Sequence, residues 1–378
     1  MRKGIWIAIV VAAIIIIAIL VSNLREEGST NIIIGRILPL TGAAASYGKS
    51  EQKGTQLAID EINSSGGIGG KKLEIIFEDS QCSAKDGVNA MKKLVDVDKV
   101  PVVLGATCSG VTLAIAPIAN ERKVLLLSPL SSASEITNAG PFVFRVMPSD
   151  SFQSRILADW IFSEGHKQIA MLYVNNAWGK GVSSEFETAF KKLGGIITVT
   201  EECKEGDKDF RVQLTKIKAS EVSAIFCPTM PKEGNVILKQ LKELGIQLPV
   251  YGADAWSVDE LVTGDGSPSE GVKYTYPAKF TGPKYQSFAQ AYKTKFNEDP
   301  DVNGAGAYDA VKIIAMCLKH ILDKHLTITG ENVQSEISQI SDYEGTTGTT
   351  TFDENGDSIA KSFEKMIIRN GQRMKYGN

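Results

Sequence analysis

Two pairs of cysteines stand at matching places along this chain, and oxidation to disulfides is the first chemistry their spacing suggests. Cys82 follows the apolar run Leu73-Glu-Ile-Ile-Phe77, and Cys108 follows Pro101-Val-Val-Leu104. Further along, Cys203 follows Ile196-Ile-Thr-Val-Thr200 and Cys227 follows Ala224-Ile-Phe226. One amphipathic helical stretch separates the members of each pair. Parallel strands joined by a helix end at the same sheet edge, so both pairs, Cys82–Cys108 and Cys203–Cys227, are expected to reach disulfide distance. Bonds of this kind persist outside the cytosol.

Three further turns carry groups that bind rather than react. Thr107-Cys-Ser109-Gly-Val-Thr112 and Ser128-Pro-Leu-Ser131-Ser132-Ala-Ser134-Glu135 each follow a short apolar run and open a helix. Hydroxyls and free N–H groups at two converging helix starts form an anion site suited to a carboxylate. Ordinary helix capping would use the same residue types. The third turn, Tyr251-Gly-Ala-Asp254-Ala-Trp256, offers a carboxylate to a cation such as an ammonium.

Other chemistries fail on spacing. Gly42-Ala-Ala-Ala-Ser-Tyr-Gly48-Lys49-Ser50 has five residues between its first glycine and the Gly-Lys pair. A phosphate-binding loop needs four there. The run Gly66-Gly-Ile-Gly-Gly70 lacks dinucleotide spacing and reads as a helix end turning into a strand. His166, His320 and His325 form no metal pattern, and no metal or other cofactor is expected. Gly105-Ala-Thr-Cys108-Ser109-Gly110 is not a nucleophile elbow, and no nucleophile has a partner base, so no enzymatic activity is expected. Cys317 and Trp160 sit among apolar neighbours and read as core. A net charge of −3 gives no reason to expect nucleic acid as a partner.

The elements that must position these turns alternate. Strands are readable at 32–38, 73–77, 102–104, 124–127, 169–173, 196–200, 224–227 and 272–276, with helices between them. Phe186, Phe190 and Leu193 form one helical stripe, and Ile237, Leu241 and Leu244 another. This is the α/β pattern of two Rossmann-like lobes, each a parallel sheet flanked by helices. The alternation pauses at Arg145-Val-Met-Pro-Ser149 and again near Pro277, before a long helix over 305–321. The expected lobes are 31–147 with 278–342, and 148–277 with 343–378.

Residues 1–30 read as a membrane segment and linker. Arg2 and Lys3 precede an apolar run from Ile5 to Val21, and no charge follows until Arg25. No small-residue cleavage pattern follows the run. No cysteine precedes Cys82, so a lipid-modified cysteine is not expected. A retained anchor with its basic end inside would hold the rest on the extracytoplasmic face; a cleaved signal would release it.

Taken together, these motifs resemble the periplasmic binding proteins of the leucine/isoleucine/valine-binding type, from about Asn31 to the C-terminus. The likeness lies in Pro39-Leu-Thr-Gly42, Tyr47-Gly48, Gly54-Thr-Gln-Leu-Ala-Ile-Asp-Glu-Ile-Asn63, Gly66-Gly-Ile-Gly-Gly-Lys71, Cys82 to Cys108-Ser109, Ser128-Pro129, Gly252-Ala-Asp254 and Phe352-Asp-Glu-Asn-Gly356. It implies a type I fold of two lobes joined by three crossovers that delivers an amino acid to ABC permease subunits; a monomer is the default expectation. It also implies the Cys82–Cys108 bridge, but not Cys203–Cys227. Ser109 and Ser132, in turns that also hold Ser131, would grip the ligand carboxylate, and the Leu130 carbonyl would accept from the ammonium. Asp254 stands where the family has a glutamate, and Trp178 takes the place of a covering tyrosine. Tyr47 would border the side-chain pocket. Cys227-Pro-Thr229-Met230-Pro231 departs from the pattern, with Met230 in a stretch where an aromatic is expected.

Overall fold

A computed structural model describes residues 31–257, 261, 268–277 and 282–377. The expected membrane segment, and residue 278 at the second crossing, lie outside the described residues. Among those described, no helix is long and apolar enough to cross a membrane.

Two sheets account for the alternation. The first holds β1 (Ile32–Leu38), β2 (Leu73–Asp79), β3 (Val102–Leu104), β4 (Leu125–Ser128) and β5 (Val143–Arg145). They pair in parallel in the order β2-β1-β3-β4-β5. The second sheet begins with β6 (Gln168–Val174), β7 (Ile196–Cys203), β8 (Ile225–Phe226), β9 (Val250–Gly252) and β10 (Lys273–Pro277). A hairpin, β11 (Tyr343–Gly345) and β12 (Gly348–Thr350), precedes the closing strands β13 (Phe363–Arg369) and β14 (Gln372–Lys375). The order is β14-β13-β10-β9-β8-β6-β7, antiparallel only where β13 and β14 join.

Burial on both faces explains why the strands are short apolar runs. Val102, Leu104, Leu125 and Leu127 face one core, while Val103 and Leu126 face the other. In the second sheet Ala170, Leu172 and Val174 alternate likewise with Ile169 and Met171. The helices are α1 (Ala45–Ser64), α2 (Ala84–Lys92), α3 (Ser109–Arg122), α4 (Asp150–Ser163), α5 (Ala177–Lys192), α6 (Arg211–Lys218), α7 (Pro231–Glu243), α8 (Pro283–Phe296), α9 (Val302–Asp323) and α10 (Gly330–Ile337). Although α9 and α10 lie between β10 and β13 of the second sheet in sequence, Val311, Ile314, Cys317, Leu318 and Val333 pack beneath the first. The approach of α9 to α1 is close. A Cβ on Gly54 would stand 2.0 Å from the Gly304 carbonyl oxygen, so no larger residue fits.

The segment 343–358, expected in the second lobe, packs instead with the first. Phe352 meets Phe144 edge-on in that core, and Asp309 of α9 accepts from the Thr346 and Thr347 N–H groups at 2.8 Å each. The chain crosses to β13 only after Ser358. Arg145, at the end of β5, secures this arrangement with a buried two-point pair to Asp357, at 2.6 and 2.9 Å.

The cysteines divide. Cys82 and Cys108 are joined, with Cα atoms 5.6 Å apart. Their strands are not neighbours, because β1 runs between β2 and β3. Both residues lie beyond the strand ends, and Asp79 clamps the turn over β1 by accepting from the Leu40 and Gln81 N–H groups at 2.9 Å each. Cys203 and Cys227 are free and buried, against expectation. Here β6 intervenes and the cysteines sit at the strand ends themselves, Cys203 opposite Val174. Two strand spacings come to about 9.5 Å, well beyond the Cα separation a disulfide tolerates. Denatured without reductant, the exported protein should present three reactive thiols, Cys203, Cys227 and Cys317; a single thiol would mean that the second bridge forms.

Candidate functional site

The C-terminal edges of the two sheets face each other across a cavity of about 170 Å³. From the first half it is lined by Tyr47, Thr107, Ser109, Leu130 and Ser132, and from the second by Trp178, Met230 and Asp254. Seven of the eight binding residues expected from sequence therefore share one cavity. The halves also touch directly: the Tyr47 hydroxyl donates to the Ala255 carbonyl at 3.4 Å, and Lys232 Nζ to the Ala43 carbonyl at 3.2 Å.

At one end lies an anion cradle. Ser109 is the first residue of α3, where helical N–H groups lack intrahelical acceptors. Its Oγ accepts from the N–H groups of Ser132 and Ala133, at 3.3 Å each. Arg145 holds the same loop from behind, donating from Nη1 to the Ser132 and Ala133 carbonyls at 2.8 and 2.7 Å. Anchored through its carbonyls, the loop holds those two N–H groups on Ser109 Oγ and sets Ser109 and Ser132 in the cavity wall at the start of α3. Such an array suits a carboxylate.

Ser131, the eighth candidate, is not part of the cavity wall. Its hydroxyl is buried, donates to the Ala106 carbonyl at 2.9 Å and meets the Thr112 hydroxyl at 2.7 Å. Its N–H donates to Ser128 Oγ at 2.9 Å. Ser131 ties β4's turn to the start of α3 and leaves Ser132 facing the cavity.

Opposite the cradle stands Asp254, on a short turn after β9. Its Oδ1 is enclosed and has no hydrogen-bond partner among the described residues. Burial raises its pKa to about 6, despite help from Gln153, two backbone N–H groups and Trp178. Asp150, first residue of α4, lies fully buried behind it, with neither carboxylate oxygen hydrogen-bonded among the described residues. Burial first, and then the charge of Asp254, hold Asp150 well above the usual carboxylate range. Asp254 thus lines a cavity whose wall also holds Lys232, already donating to the Ala43 carbonyl, while Arg145, the cation that acts on Asp150, is committed to Asp357. The arrangement calls for a cation from outside.

Sequence reading missed Asp150 and Gln153. Their signal was available: polar residues three apart at the start of a helix that otherwise buries Leu157, Trp160 and Ile161. Thr107, named in the sequence only as part of the first hydroxyl-rich turn, donates its hydroxyl at 2.8 Å to Glu51, the buried partner of Arg36. Burial lowers the Arg36 pKa and raises that of Glu51, so desolvation outweighs their attraction.

Comparison with known proteins agrees with this geometry. A family model described as periplasmic binding protein matches residues 31–363. The chain belongs to that family. It is 31% identical to the leucine-, isoleucine-, valine-, threonine- and alanine-binding protein of Pseudomonas aeruginosa, over 84% of this chain and 85% of the relative. Among solved structures it is similar to the leucine-binding protein LivK of Thermotoga maritima (TM-score 0.84, 28% identity, 92% of this chain and 98% of that one). It is similar also to LivJ of Streptococcus pneumoniae, solved with isoleucine (TM-score 0.82, 30% identity, 91% and 98%). These relatives are binding proteins rather than enzymes.

The structural role of Ser131 has a measurable consequence. Ser131→Ala strands buried partners and should cost about 1–3 kcal/mol in urea unfolding. An unchanged midpoint would return Ser131 to the list of candidate ligand contacts.

Proposed function

We propose that this protein is the extracytoplasmic receptor of an ABC importer and binds an amino acid between two closing lobes. One observation carries the reading. A single cavity joins an anion cradle at Ser109 and Ser132 to an acid, Asp254, whose Oδ1 has no hydrogen-bond partner among the described residues. A zwitterion has a group for each end. Its carboxylate would lie on the Ser109 and Ser132 hydroxyls and N–H groups, and its ammonium would meet Asp254 and the Leu130 carbonyl. Trp178, Tyr47 and Met230 would surround the α-carbon and the first side-chain atoms, an apolar wall matched to relatives named for leucine, isoleucine and valine.

The lobes of this reading are 31–147 with 278–358, and 148–277 with 359–378. Packing of Phe352 in the first core supports moving the last boundary. Closure is favoured because the ligand touches both lobes only when they meet. Without it, closure leaves Asp254 desolvated and unpaired, which keeps the empty receptor from staying shut. Permease subunits in the membrane would read the closed surface, with the receptor a monomer held by residues 1–30 or released after cleavage.

Calorimetric titration tests the cradle. Changing Ser109 and Ser132 together to Ala removes hydrogen bonds to a charged group, about 1.5–3 kcal/mol each, so affinity for leucine should fall at least ~10-fold. Undiminished affinity would remove the carboxylate assignment. The acid end makes a pH prediction. The ammonium pairs with ionised Asp254, so protons compete with ligand below its pKa of about 6. Affinity should be level above that value and should fall below it, approaching tenfold per pH unit. A pH-independent affinity from 7 to 4.5 would contradict the pairing.

A further inference from the structure

The cavity has a second polar region, which gripping an amino-acid head group leaves unused. Besides Asp254, its second-half wall includes Glu205, Met230, Lys232 and Glu233. Glu233 lies in the first turn of α7 and is 4% exposed. Its Oε1 accepts from the Gly206 N–H at 2.6 Å. Its Oε2 is enclosed and has no hydrogen-bond partner among the described residues. The adjacent Lys232 does not neutralise it, because that Nζ reaches across the cleft to the Ala43 carbonyl. Glu205, the next acid in the wall, accepts from the Asn176 amide and adds negative charge to the same region.

A buried carboxylate oxygen without a donor costs more than an ordinary hydrogen bond is worth. Hydrocarbon cannot relieve that cost, whereas an N–H group can. Met230 and Pro231 supply apolar surface beside Glu233, suited to methylene groups that would carry such a donor. We infer that this region selects amino acids whose side chains end in an N–H donor, an amide or a cation, over side chains of hydrocarbon alone. The inference rests on the proposed placing of the head group at Ser109 and Asp254, and it names the side-chain class that this placing leaves open.

Calorimetric titration of the purified protein at neutral pH with leucine, norleucine, glutamine and lysine tests it. Glutamine or lysine should bind at least about tenfold more tightly than norleucine, the hydrocarbon chain of similar reach. Glu233→Gln keeps an acceptor for Gly206 and should fold normally, yet it should erase the advantage of lysine. Glu233→Met should turn the preference toward norleucine. Norleucine binding as tightly as glutamine and lysine to the unaltered protein would overturn the inference, with water then filling the space beside Glu233. So would a preference for lysine that survives in both variants. Those outcomes leave amino-acid binding standing; failure of all four compounds to bind would instead overturn the head-group placing, and this inference with it.

Discussion

A carboxylate enclosed without a partner is the constraint on which this structure turns. Asp254 is brought against the opposite half of the molecule, away from water, and among the described residues its Oδ1 finds no partner. Its neighbour Asp150 deepens the deficit, since Arg145 is spent on Asp357 and on the loop carbonyls. Burying charge in this way disfavours an empty closed cleft. The same cost becomes selectivity once a ligand brings a positive group, because only such a ligand lets the halves meet.

The rest of the scaffold serves the geometry of that meeting. Sheet edges carrying strand C-termini face one another, the place where open α/β sheets bind ligands. Arg145 acts from behind the site, fixing the loop by its Ser132 and Ala133 carbonyls so that Ser132 stays in the cavity wall beside Ser109. The Cys82–Cys108 bond ties the loops after β2 and β3 together at the cavity wall, where both cysteines lie. Cores on both faces of each sheet make the two halves rigid enough for closure to be a movement of bodies rather than of loops.

Much of this was legible in sequence. Strand positions followed from apolar runs, and the Ser109, Ser132 and Asp254 turns from hydroxyls or an acid just past them. Among the strands not read, Val143–Arg145 and Val250–Gly252 end in an arginine and a glycine and so merge with the turns that follow, whereas the equally short Val102–Leu104 is wholly apolar. The Cys203–Cys227 bridge failed for a topological reason: sequence gives the order of strands along the chain, not the insertion of β6 between them. Ser131 and Ser132 look alike in sequence, and only the pitch of the turn sends one hydroxyl inward and the other to the cavity. Buried pairs such as Arg145–Asp357 join residues far apart in the chain, so no local signal announces them.

Carbon NMR of the Asp254 carboxyl through a pH titration, with and without saturating amino acid, tests the central claim most directly. Without ligand this group should titrate no lower than the ordinary aspartate range, about 3.9, rising toward about 6 where the halves meet as they do here. With ligand bound, the ammonium should drive the titration below the ordinary aspartate range, under about 3.9. A carboxyl that titrates at the same pH in both samples would contradict a cleft held shut by the charge its ligand brings.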